Sequence, residues 1–222
     1  MSLWGIKAPE VDKGNLVFLG VVYVLWMLIM AGSQPAWGDD TRGQALFRLC
    51  AACHGPQGTG QQQLGAPAIA GLPEWYVAAQ LLKFRHGVRG MHPQDSAGMR
   101  MRPMARALPA DSDVQAVARY VAALPPAVQG ATAVGDPDSG KVRYQLCAGC
   151  HGPDARGMPP VQAPPLVLAN DWYLLRQLGN FKQGIRGGDA TADPTGALMR
   201  SIAVSLDEQA MRDILAYIGT LR

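Results

Sequence analysis

The pentapeptide Cys-x-x-Cys-His occurs twice, as Cys50-Ala51-Ala52-Cys53-His54 and as Cys147-Ala148-Gly149-Cys150-His151. Two thiols three residues apart on one helical turn can both bond the vinyl groups of a single haem, and the histidine that follows is then placed under the iron. This is the attachment signature of c-type haem. The motifs consume all four cysteines of the chain, leaving none for a disulfide or a thiolate nucleophile. A structural zinc site needs four ligands at closed spacing, and it gives no reason for a histidine after each pair. The expectation is two covalently bound haem c groups.

The second motif follows the first by 97 residues, and that offset persists far outside the motif. Gly43 pairs with Gly140, Ala66-Pro67 with Ala163-Pro164, Trp75-Tyr76 with Trp172-Tyr173, Gln80-Leu81 with Gln177-Leu178, Phe84 with Phe181, Arg89-Gly90 with Arg186-Gly187 and Tyr120 with Tyr217. Solenoid units run to about 20–50 residues, so this period marks a duplicated domain. The division expected is an N-terminal segment 1–38, a first domain 39–126, a linker 127–137 and a second domain 138–222. Domains this small bury only about 60–65% of their unfolded surface, so the haem supplies apolar mass as well as chemistry.

The apolar spacing predicts helices over Thr41–Cys53, Pro73–Phe84 and Ala110–Leu124, and again over Ser139–Cys150, Asn170–Phe181 and Asp207–Leu221. No run of alternating strand residues occurs. The expected fold is all-α, with Gly- and Pro-rich loops wrapping each haem. Pro125-Pro126 ends the first domain, and the short linker holds the two halves in one geometry.

A haem that shuttles electrons benefits from two strong axial ligands, and His/Met ligation raises the potential. The segment Met101-Arg-Pro-Met104-Ala-x-x-Leu108 aligns with Met199-Arg-Ser-Ile202-Ala-x-x-Leu206 after one inserted residue. Met101 therefore matches Met199, while Met104 matches an isoleucine and reads as a core side chain. The sequence assigns iron ligation to His54 with Met101 and to His151 with Met199. His86 and His92 have no counterpart in the second half and read as surface residues.

Carried by both Cys-x-x-Cys-His motifs, by Pro67 and Pro164 nine residues before Tyr76 and Tyr173, and by the two methionine segments, residues 40–222 resemble the dihaem cytochrome c4 family. The resemblance implies a cytochrome c fold in each half, haems that meet near the domain interface, and a Pro67 or Pro164 carbonyl holding the proximal histidine's other ring nitrogen. It also implies a position between a quinol-oxidising bc-type complex and a terminal oxidase, the alternative being a permanent subunit of a respiratory or photosynthetic complex or a dehydrogenase partner. The usual Leu-Ser-Asp before the last helix is replaced by Leu108-Pro-Ala-Asp and Leu206-Asp-Glu.

Residues 16–32 carry no charge. Seventeen helical residues reach about 25 Å, slightly short of the roughly 30 Å hydrocarbon core. The segment is read as a single-pass anchor in the cytoplasmic membrane, in preference to a signal cleaved after Ala36-Trp37-Gly38. Attachment of c-type haem takes place outside the cytoplasm, so the haem domains are placed on the periplasmic side.

Residues 39–135 carry nine basic and six acidic groups, and residues 136–222 nine of each. Arg100, Arg102 and Arg106 bracket Met101, with Lys83, Arg85 and Arg89 before them. They suggest either a docking face for an acidic partner or propionate neutralisation. Arg89 and Arg186 recur in both halves and are the better propionate candidates. A basic run with interleaved aromatics is lacking, which argues against nucleic-acid binding. A methionine in each half and no spare cysteine argue against a haem enzyme, so no catalytic residue and no small-molecule substrate are expected.

Overall fold

The computed structural model describes residues 37–127, 130 and 132–222. Among these residues no helix is long and apolar enough to cross a membrane; the expected anchor at 16–32 lies outside them. The first half contains α1 (Trp37–His54), α2 (Glu74–Arg85), α3 (Ser96–Arg106) and α4 (Asp111–Ala123). The second contains α5 (Pro137–Arg143), α6 (Gln145–His151), α7 (Asp171–Lys182), α8 (Pro194–Ala203) and α9 (Glu208–Thr220). The pairing within sheets is confined to two isolated bridges among the described residues, Gln61 with Ala66 and Met158 with Ala163.

The expected helices are present, with two differences. The helix predicted over Ser139–Cys150 is interrupted at Tyr144, whose carbonyl accepts from both Cys147 N at 2.8 Å and Ala148 N at 3.0 Å. The shared acceptor tightens that turn without ending the helical course. The second difference is that Met101 and Met199 lie on helices, α3 and α8, that the apolar spacing does not predict. Pro103 sits inside α3, where it gives no N–H to the carbonyl of Met99. The deficit is offset at the start of the helix, where Asp95 accepts from Gly98 N at 3.0 Å. In α8 Asp193 does the same for Gly196 N at 2.9 Å, and Pro194 occupies the first turn.

Each half has its own core. In the first, Phe47, Leu81, Phe84, Leu108, Val114, Val117 and Val121 pack together. In the second, Tyr144, Leu206, Met211, Ile214, Leu215 and Ile218 do so. The first and last helices of each half cross at a glycine. A Cβ on Gly43 would lie 2.3 Å from Ala116 O, and one on Gly140 would lie 1.9 Å from Asp213 O. Above each crossing two rings meet, Phe47 on Tyr120 at 5.1 Å and Tyr144 on Tyr217 at 5.4 Å between centroids.

The linker is tied to the second half. Asp171 accepts from Thr132 N at 2.5 Å, Ala133 N at 2.7 Å and Thr132 Oγ1 at 3.0 Å. Across the halves, Ala68 N donates to Asn170 Oδ1 at 2.7 Å.

Candidate haem sites

The last turn of α1 brings Cys50, Cys53 and His54 to one wall of a cavity that Met101 and Met104 also line. In the second half Cys147, His151 and Met199 line a cavity, with Ile202 where the first half has Met104. His86 and His92 line neither cavity. Met91 and Met99 are exposed, as is Met158, while Met211 is buried in the second core.

Both proximal histidines are buried, and each is held by the carbonyl that the family resemblance implies. His54 Nδ1 lies 2.8 Å from Pro67 O, and His151 Nδ1 lies 2.9 Å from Pro164 O. A carbonyl can only accept, so Nδ1 carries the proton and Nε2 keeps its lone pair. Burial pushes both imidazoles below the usual histidine range, against the opposing effect of the proline carbonyl. A neutral ring with a free Nε2 is the form that ligates iron. In the haem-free chain burial pushes the Cys50 and Cys147 thiols up to about 11.

The two cavities share a wall. Tyr76, Gln80, Tyr173 and Gln177 line both. Arg89 donates to Gln80 Oε1 at 2.9 Å, to Gln177 Oε1 at 3.0 Å and to Tyr173 Oη at 3.1 Å. Arg186 donates to Gln177 Oε1 and to Gln80 Oε1, each at 3.0 Å. Each guanidinium also stacks on a phenylalanine of its own domain, Arg89 on Phe84 at 4.4 Å and Arg186 on Phe181 at 4.5 Å.

The remaining nitrogens test whether a haem fits. Arg89 Nε and Arg186 Nε are buried with no hydrogen-bond partner, and each arginine lines the cavity of its own half. A buried N–H without an acceptor is costly, and a haem propionate provides one. With a histidine lone pair, adjacent thiols and an apolar lining at each site, the residues fit covalent haem.

A cytochrome c family model matches residues 41–125 and 138–222. The protein belongs to the dihaem cytochrome c4 family. Its two cytochrome c domains bind two covalent haem c groups, and it is an electron-transfer protein rather than an enzyme. The cytochrome c4 of Azotobacter vinelandii is 31% identical over 90% of this chain and 98% of that one. The thiosulfate dehydrogenase electron acceptor of Thiomonas intermedia is 33% identical over 77% of each chain. The solved cytochrome c4 of Acidithiobacillus ferrooxidans superposes with a TM-score of 0.63 at 27% identity, over 78% of this chain and 99% of that one.

In this c4 cytochrome most of the basic residues read as a docking face are used internally. Lys83 pairs with Asp193, Arg85 with Asp111, Arg106 donates to Arg85 O, and Arg89 is buried in the interface. Arg100 remains at the mouth of the first cavity, donating to Leu64 O at 2.7 Å. Arg176, from the second domain, joins it beside Gly65, as both guanidinia would touch a Cβ placed there. Sequence reading missed Arg176, Gln80 and Gln177 as functional residues. The glutamines were marked by their repetition at the 97-residue offset; nothing in the sequence marked Arg176.

Proposed function

We propose that this protein is a membrane-anchored dihaem carrier that passes single electrons between redox proteins on the periplasmic side of the cytoplasmic membrane. Family membership implies its chain position: from a quinol-oxidising bc-type complex to a terminal oxidase. Bound haem supplies the one-electron iron couple. Cys50, Cys53, Cys147 and Cys150 form the thioethers. His54 and Met101 would hold the iron of the first site, and His151 and Met199 that of the second. Pro67 and Pro164 fix the imidazole orientations, and Arg89 and Arg186 offer Nε to the propionates. Residues 16–32 form the anchor.

The observation that carries the ligand reading is that one histidine and one conserved-by-repeat methionine line each cavity, with Nε2 of the histidine left free. What supports an internal electron path is the wall the cavities share. A second reading, acceptor for a periplasmic dehydrogenase or fixed subunit of an oxidoreductase complex, is favoured by the similarity to the thiosulfate dehydrogenase electron acceptor.

At the mouth of the first cavity Leu49 and Leu64 are exposed beside Arg100 and Arg176, which have no carboxylate partner among the described residues. The repeat places Leu146, Val161 and Leu198 where the first half has Leu49, Leu64 and Arg100. All three are exposed and apolar. The first domain thus suits an acidic partner and the second an apolar one.

Purification from membranes in detergent tests the anchor and the partners together. An intact chain of 23.6 kDa plus two haems, eluting alone, supports a tethered carrier. Stable co-elution with large subunits supports the second reading, and a soluble chain beginning near Asp39 overturns the anchor.

A further inference from the structure

Lys83 belongs to α2 of the first domain, yet its ammonium ends in the second domain's haem site. Nζ donates to Asp193 Oδ1 at 2.6 Å and to Thr195 Oγ1 at 2.8 Å. Lys83, Thr195, Gly196 and Met199 line the same cavity. Asp193 is the N-cap of α8, the helix that carries Met199. Its side chain is 3% exposed, and its Oδ2 has no hydrogen-bond partner. A carboxylate buried this deeply holds its place only when its charge is compensated. Lys83 makes the one ion pair at Asp193 among the described residues.

The repeat supplies an internal control. Asp95 is the equivalent cap on α3, the helix that carries Met101, and it accepts from Gly98 N in the same way. The residue equivalent to Lys83 is Asn180, which bears no charge, and Asp95 makes no ion pair among the described residues. The second methionine helix is therefore clamped by the other domain, and the first is not.

We infer that Lys83 is a positioning residue for the sixth ligand of the second haem: it compensates and holds the cap of α8 across the interface, so Met199 is presented firmly only while the domains are docked. The inference rests on the reading of Met101 and Met199 as axial ligands. Without Lys83, Asp193 keeps only the Gly196 N–H and the field of Arg186; it is held less well at its cap position, the first turn of α8 frays, and Met199 is held less firmly. Loss of methionine ligation lowers the potential of a His/Met haem, so the effect is confined to one of the two sites.

NMR of the reduced holoprotein resolves the methyl of each axial methionine by its haem ring-current shift, and a redox titration resolves the midpoints. Wild type must show two such methyls; a single one overturns the ligand reading before any variant is made. Lys83→Met is expected to broaden or abolish the Met199 methyl and lower one midpoint, leaving the Met101 methyl and the other midpoint in place. Lys83→Arg retains both methyls. The double variant Lys83→Met/Asp193→Asn keeps a capping oxygen without a buried charge, and it is expected to restore the Met199 signal. If Lys83→Met leaves both sites as in wild type, or shifts both alike, the proposal is overturned. Should Lys83→Met fail to assemble, the double variant decides: a Met199 methyl supports the inference, and its absence overturns it.

Discussion

Gln80 and Gln177 occupy equivalent positions in the two repeats, and each amide oxygen accepts one hydrogen bond from Arg89 and one from Arg186. This crossed quartet closes the wall between the haem cavities. Replacing Gln177 by leucine removes an acceptor from both arginines at once. Buried donors left unmade cost about 1–3 kcal/mol each. The Gln177→Leu holoprotein should lose stability by at least that amount, and calorimetry should show its single unfolding transition beginning to separate into two.

Acid should loosen the interface and the linker together. Burial raises the Asp193 carboxyl, but the Lys83 ammonium and Gly196 N–H outweigh it and hold the group below the usual carboxylate range. For Asp171, burial is likewise outweighed, here by Thr132 and Ala133. A carboxyl depressed in the folded state contributes stability that is fully present above its unfolded value, about 3.9, and is lost as pH falls through and below it. Denaturation between about pH 5 and pH 3 should show stability falling with pH, and Asp171→Asn should flatten that slope.

The covalent haems should be separable by motif. Cys50→Ala/Cys53→Ala is expected to reduce intact mass by one haem, while the second domain keeps its reduced absorption bands. Two haems on that variant would contradict the assignment of the thioethers.

The glycine crossings tolerate no side chain. Gly43→Ala and Gly140→Ala each place a Cβ against backbone oxygen. Overpacking of this kind costs about 1–3 kcal/mol, and chemical denaturation of the holoprotein should show at least that loss for each variant.

Steering by Arg100 and Arg176 can be read with a small anion. Oxidation of the reduced protein by hexacyanoferrate(III) should slow several-fold at low ionic strength in Arg100→Gln/Arg176→Gln, and the two proteins should converge at high salt, where surface charge is screened. Equal rates at low salt would remove these residues from the docking face.

The haem attachments were legible because their chemistry is local: Cys50 to His54 need only one helical turn. The repeat then extended that reading to both methionines, and the family resemblance to the carbonyls of Pro67 and Pro164. The helices α3 and α8 were not read, since Pro103 and the glycines at 98 and 196 argue for a loop, although Asp193-Pro194 is a recognisable helix start. Lys83 read as a surface cation because its partner lies 110 residues away in the chain, and no periodicity reports a contact between domains. Asp171 carries no signal in the sequence for the same reason: its hydrogen bonds go to a linker that sequence shows only as small residues.

The crossed quartet has a further consequence. Arg89 meets Gln177 as Arg186 meets Gln80, which is the reciprocity of an isologous contact about a two-fold axis. In symmetry terms the two halves are arranged as the protomers of a homodimer that have been joined by a short linker and so released from the obligation to stay identical. Position 83, lysine in one half where the other has Asn180, is one place where that freedom has been used.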